Sequence, residues 1–306
     1  MNSWEAKPAM EGSPVREAVL SDFVPSLLFC GILIASGLFH LSIVWLTGAQ
    51  WEGPLSARKP GLFGVSAGLT GVSIVWVLTQ LVPRRYDRSF ATLMTGSLLI
   101  EVGLITLQYW RGVPSHFNRA TPMNAAIESS MLALIVFVTA GIAGLCWRSR
   151  QLLPIPRSRA VAIQAGLWLL LISCGLGFLT TILGTIKLSN GQPPELWGIA
   201  GVLKYPHGIV LHSIQILPIF SLLLEKFRVP QAVWLLRAAV ASQVLLLIHA
   251  LVQTFSGRAR LDLDSMGTFT LVAAGILLLL PLTAIVTVQG SNLIFSKSAK
   301  SEASRG

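Results

Sequence analysis

The chain has 306 residues, 53% of them hydrophobic and 12% charged, with a mean hydropathy of +0.69. These values exclude an ordinary soluble domain and describe an integral membrane protein. The formal net charge of +10 does not mark a nucleic-acid binder, because the basic residues lie in short connectors between apolar runs rather than along one face.

In chain order, residues 1–22 set Lys7 and Arg16 against Glu5, Glu11, Glu17 and Asp22, with Pro8 and Pro14 and no apolar core. This reads as a polar tail, not a signal peptide. Runs of roughly 20 mostly apolar residues, the length that crosses a bilayer, then recur at 24–47, 61–83, 89–110, 124–147, 160–187, 206–226, 231–255 and 267–289. The expected fold is all-α, a bundle of about eight transmembrane helices over 23–290, followed by a disordered basic tail at 291–306. Gly53-Pro54, Pro60-Gly61, Pro83, Pro154, Pro156 and Pro193-Pro194 mark breaks between spans, and Pro218 and Pro281 are expected to kink spans from within. Eight spans divide evenly, so an ancient duplication into halves of four is possible although no sequence repeat is visible.

With both termini cytoplasmic, the cytoplasmic side holds 15 Lys and Arg and the opposite side eight, the asymmetry expected of a multi-pass protein of the cell membrane. Trp45, Trp51, Trp110, Trp147 and Trp234 fall near span ends, as an aromatic belt requires. Cys30, Cys146 and Cys174 are isolated in separate spans, with no C-x-x-C or C-x-x-C-H. That argues against a disulfide framework, a thiolate zinc site and covalently attached haem.

Titratable groups within spans are costly and point to function. At about 1.5 Å per residue, His40 lies roughly 10 Å below the outer end of the first span, and His212 and His249 about 9 Å below the outer ends of the sixth and seventh. Glu101 in the third span and Glu128 in the fourth fall in the same outer half. Polar stripes accompany them: Ser36 with His40; Ser97, Glu101 and Gln108; His212 with Gln215; and Ser242, His249 and Gln253. His207 lies about 140° round a continuous helix from His212, which places it at the helix mouth. The second, fifth and eighth spans add no acidic or His residue to this layer and are expected to be scaffold or lipid-facing. Beyond the third span, the connector from Arg111 to Met123 carries Arg111, His116, Asn118 and Arg119, with Gly112 and Pro114 preventing a plain helical turn. It suits a lid, an anion-binding rim or an ordinary wet loop.

Two stretches resemble motifs of a group of uncharacterised bacterial multi-spanning membrane proteins. They are Trp110-Arg111-Gly112 with Ser115-His116 and Asn118, and Pro206-His207 with Leu211-His212, Gln215 and Leu217-Pro218. In that group an acidic residue and an arginine precede the Pro-His pair, where this chain has Val202 and Lys204. The resemblance implies no known activity.

Three functional readings follow. In the first, His40, His212 and His249, with His207 nearby, bind b-type haem, copper or another transition metal for electron transfer, since neutral imidazole is a common metal ligand and bundles build cofactor sites between helices. In the second, Glu101 and Glu128 exchange protons in a secondary transporter or channel, with Gln108, Gln215 and the histidines lining a polar pocket. In the third, the polar layer fixes helix packing in a structural or sensory protein. The lipid bilayer is the partner common to all three. An enzyme is less favoured, because no H-E-x-x-H motif is present.

Overall fold

The computed structural model describes the backbone of residues 21–48, 51–53 and 55–303 and the packing of residues up to 290. The architecture is all-α. Its helices are α1 (Val24–Thr47), α2 (Arg58–Leu78), α3 (Asp87–Trp110), α4 (Pro122–Arg148), α5 (Arg157–Ser189), α6 (Tyr205–Leu211), α7 (Ser213–Lys226), α8 (Ala232–Phe255) and α9 (Ser265–Ala303). A two-stranded antiparallel hairpin, β1 (Leu196–Trp197) with β2 (Gly201–Val202), interrupts the connector between α5 and α6. Counting α6 and α7 together, eight helical segments are long and apolar enough to cross a bilayer. Trp45, Trp147 and Trp234 are exposed near helix ends, as amphipathic rings at the two interfaces of a membrane would be.

Several boundaries differ from expectation. The second span starts earlier, because Pro60 sits in the first turn of α2, where its missing N–H is not needed. It also ends earlier, at Leu78, where the Thr79 hydroxyl donates to the Trp76 carbonyl at 2.7 Å. The sixth span is interrupted at His212 (φ −90°, ψ 8°), while α7 runs on through Pro218 and α9 through Pro281. Finally, α9 remains helical to Ala303 where a disordered tail is expected from 291; Ala299, Lys300, Glu302 and Ala303 are all good helix formers. The N-terminal tail lies outside the described residues apart from Ser21 and Asp22.

The chain forms two compact units, divided after Val113: α1–α3, and the connector with α4–α9. This is a division of three spans and five, not four and four. In the first unit α1 and α2 approach backbone to backbone along Gly61, Gly64 and Gly68, and Gly71 makes room for the Cys30 side chain. A Cβ on Gly64 would stand 2.8 Å from the Gly37 Cα, and one on Gly68 2.9 Å from the Cys30 carbonyl oxygen. Small residues are what permit such an approach between membrane helices, where dispersion between close surfaces replaces the hydrophobic drive. Of the spans without an acidic or His residue in the outer layer, α2 is the most buried of the eight and the final span the least.

The second unit packs by side chains. Leu169 of α5, Val210, Leu217 and Phe220 of α6 and α7, and Leu236, Ala239 and Leu247 of α8 form its main core. Leu224 of α7, Val229 of the following turn, Leu235 of α8 and Ile285 of α9 form a smaller core. Gly166 lets α5 reach the backbone of α7, since a Cβ there would be 2.9 Å from the Ile214 Cα.

Candidate functional site

In the first unit, His40 is 3% exposed and both its ring nitrogens are engaged. Nδ1 lies 2.7 Å from the Ser36 carbonyl oxygen, one turn back on α1, and so donates to it. Nε2 then carries the lone pair that accepts the indole N–H of Trp110, at 3.1 Å. The rings of Phe39, Tyr109 and Trp110 surround the imidazole edge-on. His40 thus ties α1 to the end of α3 and has no nitrogen left for a metal. Trp110, expected as a membrane-belt residue, is half of this tie, which helical spacing within one span does not reveal.

Glu101 lies in the middle of the buried stripe of α3, which runs Met94, Leu98, Glu101, Val102, Ile105 and Gln108. It is 7% exposed, and no hydrogen bond or ion pair engages its carboxyl group among the described residues. Gln108, two turns on and fully buried, accepts from the Arg111 guanidinium. The expected grouping of Glu101 and Gln108 on one inward stripe holds.

In the second unit the connector is built rather than loose. Glu128 of α4 accepts the backbone N–H of Phe117 at 2.8 Å and pairs with Arg119 at 3.4 Å. Phe117 adopts φ 56°, uncommon for a bulky residue, and its ring lies against Gly184 of α5, where a Cβ would come within 2.5 Å. Asn118 donates to the Pro114 carbonyl and accepts from Asn124, while Thr121 caps α4 by accepting the Asn124 N–H. Ser115 bonds to His116 at 3.0 Å. Of the two expected carboxylates, Glu128 therefore belongs to the connector's anchorage.

His207 lies in the first turn of α6, at the helix mouth, and is tied there to α5. Its Nδ1 lies 2.7 Å from the Ser173 carbonyl of α5, whose hydroxyl in turn donates to the His207 carbonyl at 2.8 Å. The 140° separation assumes one continuous helix, and the interruption at His212 removes that assumption. His212 bonds to Gln215 at 3.2 Å, on the shared face expected for the pair.

His249 of α8 lies beneath the strap 256–264, its ring 6.4 Å from Tyr205 and edge-on to it. Ser242 and Gln253, on the same stripe, are buried as well: Ser242 donates to the Ala274 carbonyl at 2.7 Å, and the Gln253 amide donates to the carbonyls of Ala259 and Asp262. The polar stripe of α8 thus faces inward as its spacing requires. Near the other end of this unit, Glu225 accepts from Ser158 at 3.2 Å, from Ser221 at 2.9 Å and from the Arg159 guanidinium. Glu225 is not among the residues singled out from the sequence; its i, i+4 relation to Ser221 is the signal that marks it.

Among the described residues there is no group of three or more His, Cys, Asp and Glu able to hold a metal ion. A three-histidine centre at His40, His212 and His249 thus has no support, and His40 is committed to Ser36 and Trp110.

No protein-family model, curated protein or solved structure matches the chain. Its class is therefore defined by fold alone: an all-α, multi-pass membrane protein with eight apolar helical spans.

Proposed function

We propose that this chain is a proton-linked transporter or channel of the cell membrane, with both termini cytoplasmic, in which Glu101 takes up and releases the proton. One observation carries the reading: Glu101 is a carboxyl group 7% exposed, on an apolar stripe of a spanning helix, with no partner among the described residues. A permanently charged carboxylate without a partner is unfavourable there by several kcal/mol, whereas a carboxyl group that gains and loses a proton is not. A proton suits this group better than a divalent metal ion, which takes several oxygen ligands, because among the described residues no cluster of three His, Cys, Asp or Glu side chains includes it. The orientation rests on the 15-to-8 distribution of Lys and Arg.

The test is proton movement in proteoliposomes holding a pH-sensitive dye, under an imposed potential. Wild-type protein is expected to acidify or alkalinise the lumen faster than empty vesicles, and Glu101→Gln to reduce this to the empty-vesicle rate. Equal rates for wild type and Glu101→Gln would refute the reading. A Soret band in the purified protein would instead return weight to haem.

A further inference from the structure

The bond that joins His40 to Trp110 exists in only one protonation state of the imidazole. The Ser36 carbonyl can only accept, so Nδ1, 2.7 Å away, carries a proton; the indole N–H can only donate, so Nε2, 3.1 Å from it, carries a lone pair. A second proton would arrive on Nε2 and set two donors against each other. The amide of Gln215, bonded to His212 at 3.2 Å, can turn its oxygen or its NH2 group toward a ring and so serve either state. An indole has one donor and no acceptor to offer.

The surroundings supply no counter-ion for an imidazolium. His40 is 3% exposed, with the rings of Phe39, Tyr109 and Trp110 centred 5.3, 5.9 and 6.0 Å from its own. The helices packed against α1 are α2 and α3. Their charged and titratable groups are Arg58 and Lys59 in the first turn of α2, and Asp87, Arg88, Glu101 and Tyr109 on α3, which Arg111 follows. Arg58 pairs with Glu52 at 3.1 Å, Arg88 pairs with Asp22, and Arg111 donates to Gln108. Among the described residues no carboxylate pairs with His40. A buried cation without a partner is costly, and Trp110, the most exposed of the three rings and the last residue of α3, is the neighbour that can yield.

We propose that the His40–Trp110 pair is an acid-sensitive latch, which ties α1 to the last turn of α3 while the imidazole is neutral and lets that turn go when Nε2 takes up a proton. Imidazole is the side chain suited to such a switch near neutrality. The closing bonds of α3, from the Arg111 N–H to Leu107 and from the Gly112 N–H to Tyr109, each at 3.0 Å, flank Trp110 and are the ones its release loosens. The proton stays on the imidazole and passes to no other group. The latch lies wholly within the first unit and does not rest on the proton exchange ascribed to Glu101.

The test follows the indole N–H resonances of the full chain, carrying isotope-labelled tryptophan in detergent micelles, from about pH 8 to about pH 5, with Trp110→Phe assigning the Trp110 signal. That signal should move reversibly upfield, to the position of an unbonded indole, as pH falls. Amide hydrogen exchange over 107–113, corrected for intrinsic rates, should accelerate about tenfold over the same range, the factor that corresponds to one lost hydrogen bond. In His40→Gln, whose side-chain oxygen reaches the place of Nε2 and does not titrate, the signal should keep its bonded position throughout. A wild-type signal that does not move, unchanged exchange over 107–113, or the same movement in wild type and His40→Gln would each overturn the proposal. The two wild-type measurements decide the matter even where His40→Gln fails to fold.

Discussion

In the unit of α4–α9, Glu225 receives two hydroxyl groups and a guanidinium, and Glu128 receives a backbone N–H and a guanidinium. In the unit of α1–α3, Glu101 is 7% exposed and receives nothing among the described residues. The histidines reverse the contrast: His40 of the first unit is saturated, and His249 of the second has an unmet nitrogen. Depth in the membrane therefore does not separate structural polar groups from chemical ones. Partners do, since a satisfied buried group rigidifies its neighbours and an unsatisfied one keeps the capacity to bind or exchange.

The packing of the two units differs correspondingly, and the largest expected effect tests that difference. Gly64→Leu in α2 would drive a side chain into the Gly37 backbone and should destabilise the first unit by about 3 kcal/mol or more. Gly290→Leu is the control, because nothing lies within 4 Å of its Cβ position. Thermal unfolding followed by limited proteolysis would show whether cleavage concentrates before Val113; equal loss in both variants would break the glycine-seam account.

Carboxylate removal comes next. Glu225→Ala leaves Arg159 without its ion-pair partner in a site where both side chains are about one-fifth exposed, so a loss of about 2 kcal/mol is expected, below the range for fully buried pairs. Glu101→Gln should cost almost nothing or stabilise, because no partner is lost. Similar losses at the two sites, by denaturant titration in detergent, would erase the distinction between them.

Trp110→Phe retains an aromatic contact with His40 but removes the indole donor. It should cost about 1 kcal/mol, whereas Trp147→Phe, at an exposed ring, should fall within about 0.5 kcal/mol of wild type. The smallest effect concerns the strap. The Gly267 N–H, then the Arg258 guanidinium, hold the Asp264 carboxyl below its ordinary range. A lowered folded value stabilises the strap above the ordinary carboxylate value, near pH 4, and that contribution is lost as pH falls through the folded value. Hydrogen exchange over 256–264 should therefore accelerate, after correction for intrinsic rates, between pH 5 and pH 2, and this acceleration should vanish in Asp264→Asn.

Hydropathy and span length made the eight helices legible, because in a bilayer every backbone polar group must be satisfied within its own helix. The inward stripes of α3 and α8 were legible for the same reason: Glu101 and His249 sit at helical spacing from Gln108 and Gln253. Partners across helices were not legible. The tie from His40 to Trp110 spans 70 positions and that from Glu225 to Arg159 spans 66, and periodicity within one helix says nothing about such pairs. The break at His212 was hidden because Pro218 drew the expected kink to itself. The glycine seam stands in the sequence as Gly61, Gly64, Gly68 and Gly71, but glycines act there by having no side chain and carry no polar or charged signal.

The central claim is that Glu101 exchanges a proton while Glu128 and Glu225 serve as structural acceptors. Its most direct test is the pH-difference infrared spectrum of the protein in lipid bilayers, in the carbonyl-stretch region of protonated carboxyl groups. A titrating band present in wild type, in Glu128→Gln and in Glu225→Gln but missing in Glu101→Gln is the predicted result. A band that survives in Glu101→Gln, or a wild-type spectrum without one, would contradict it.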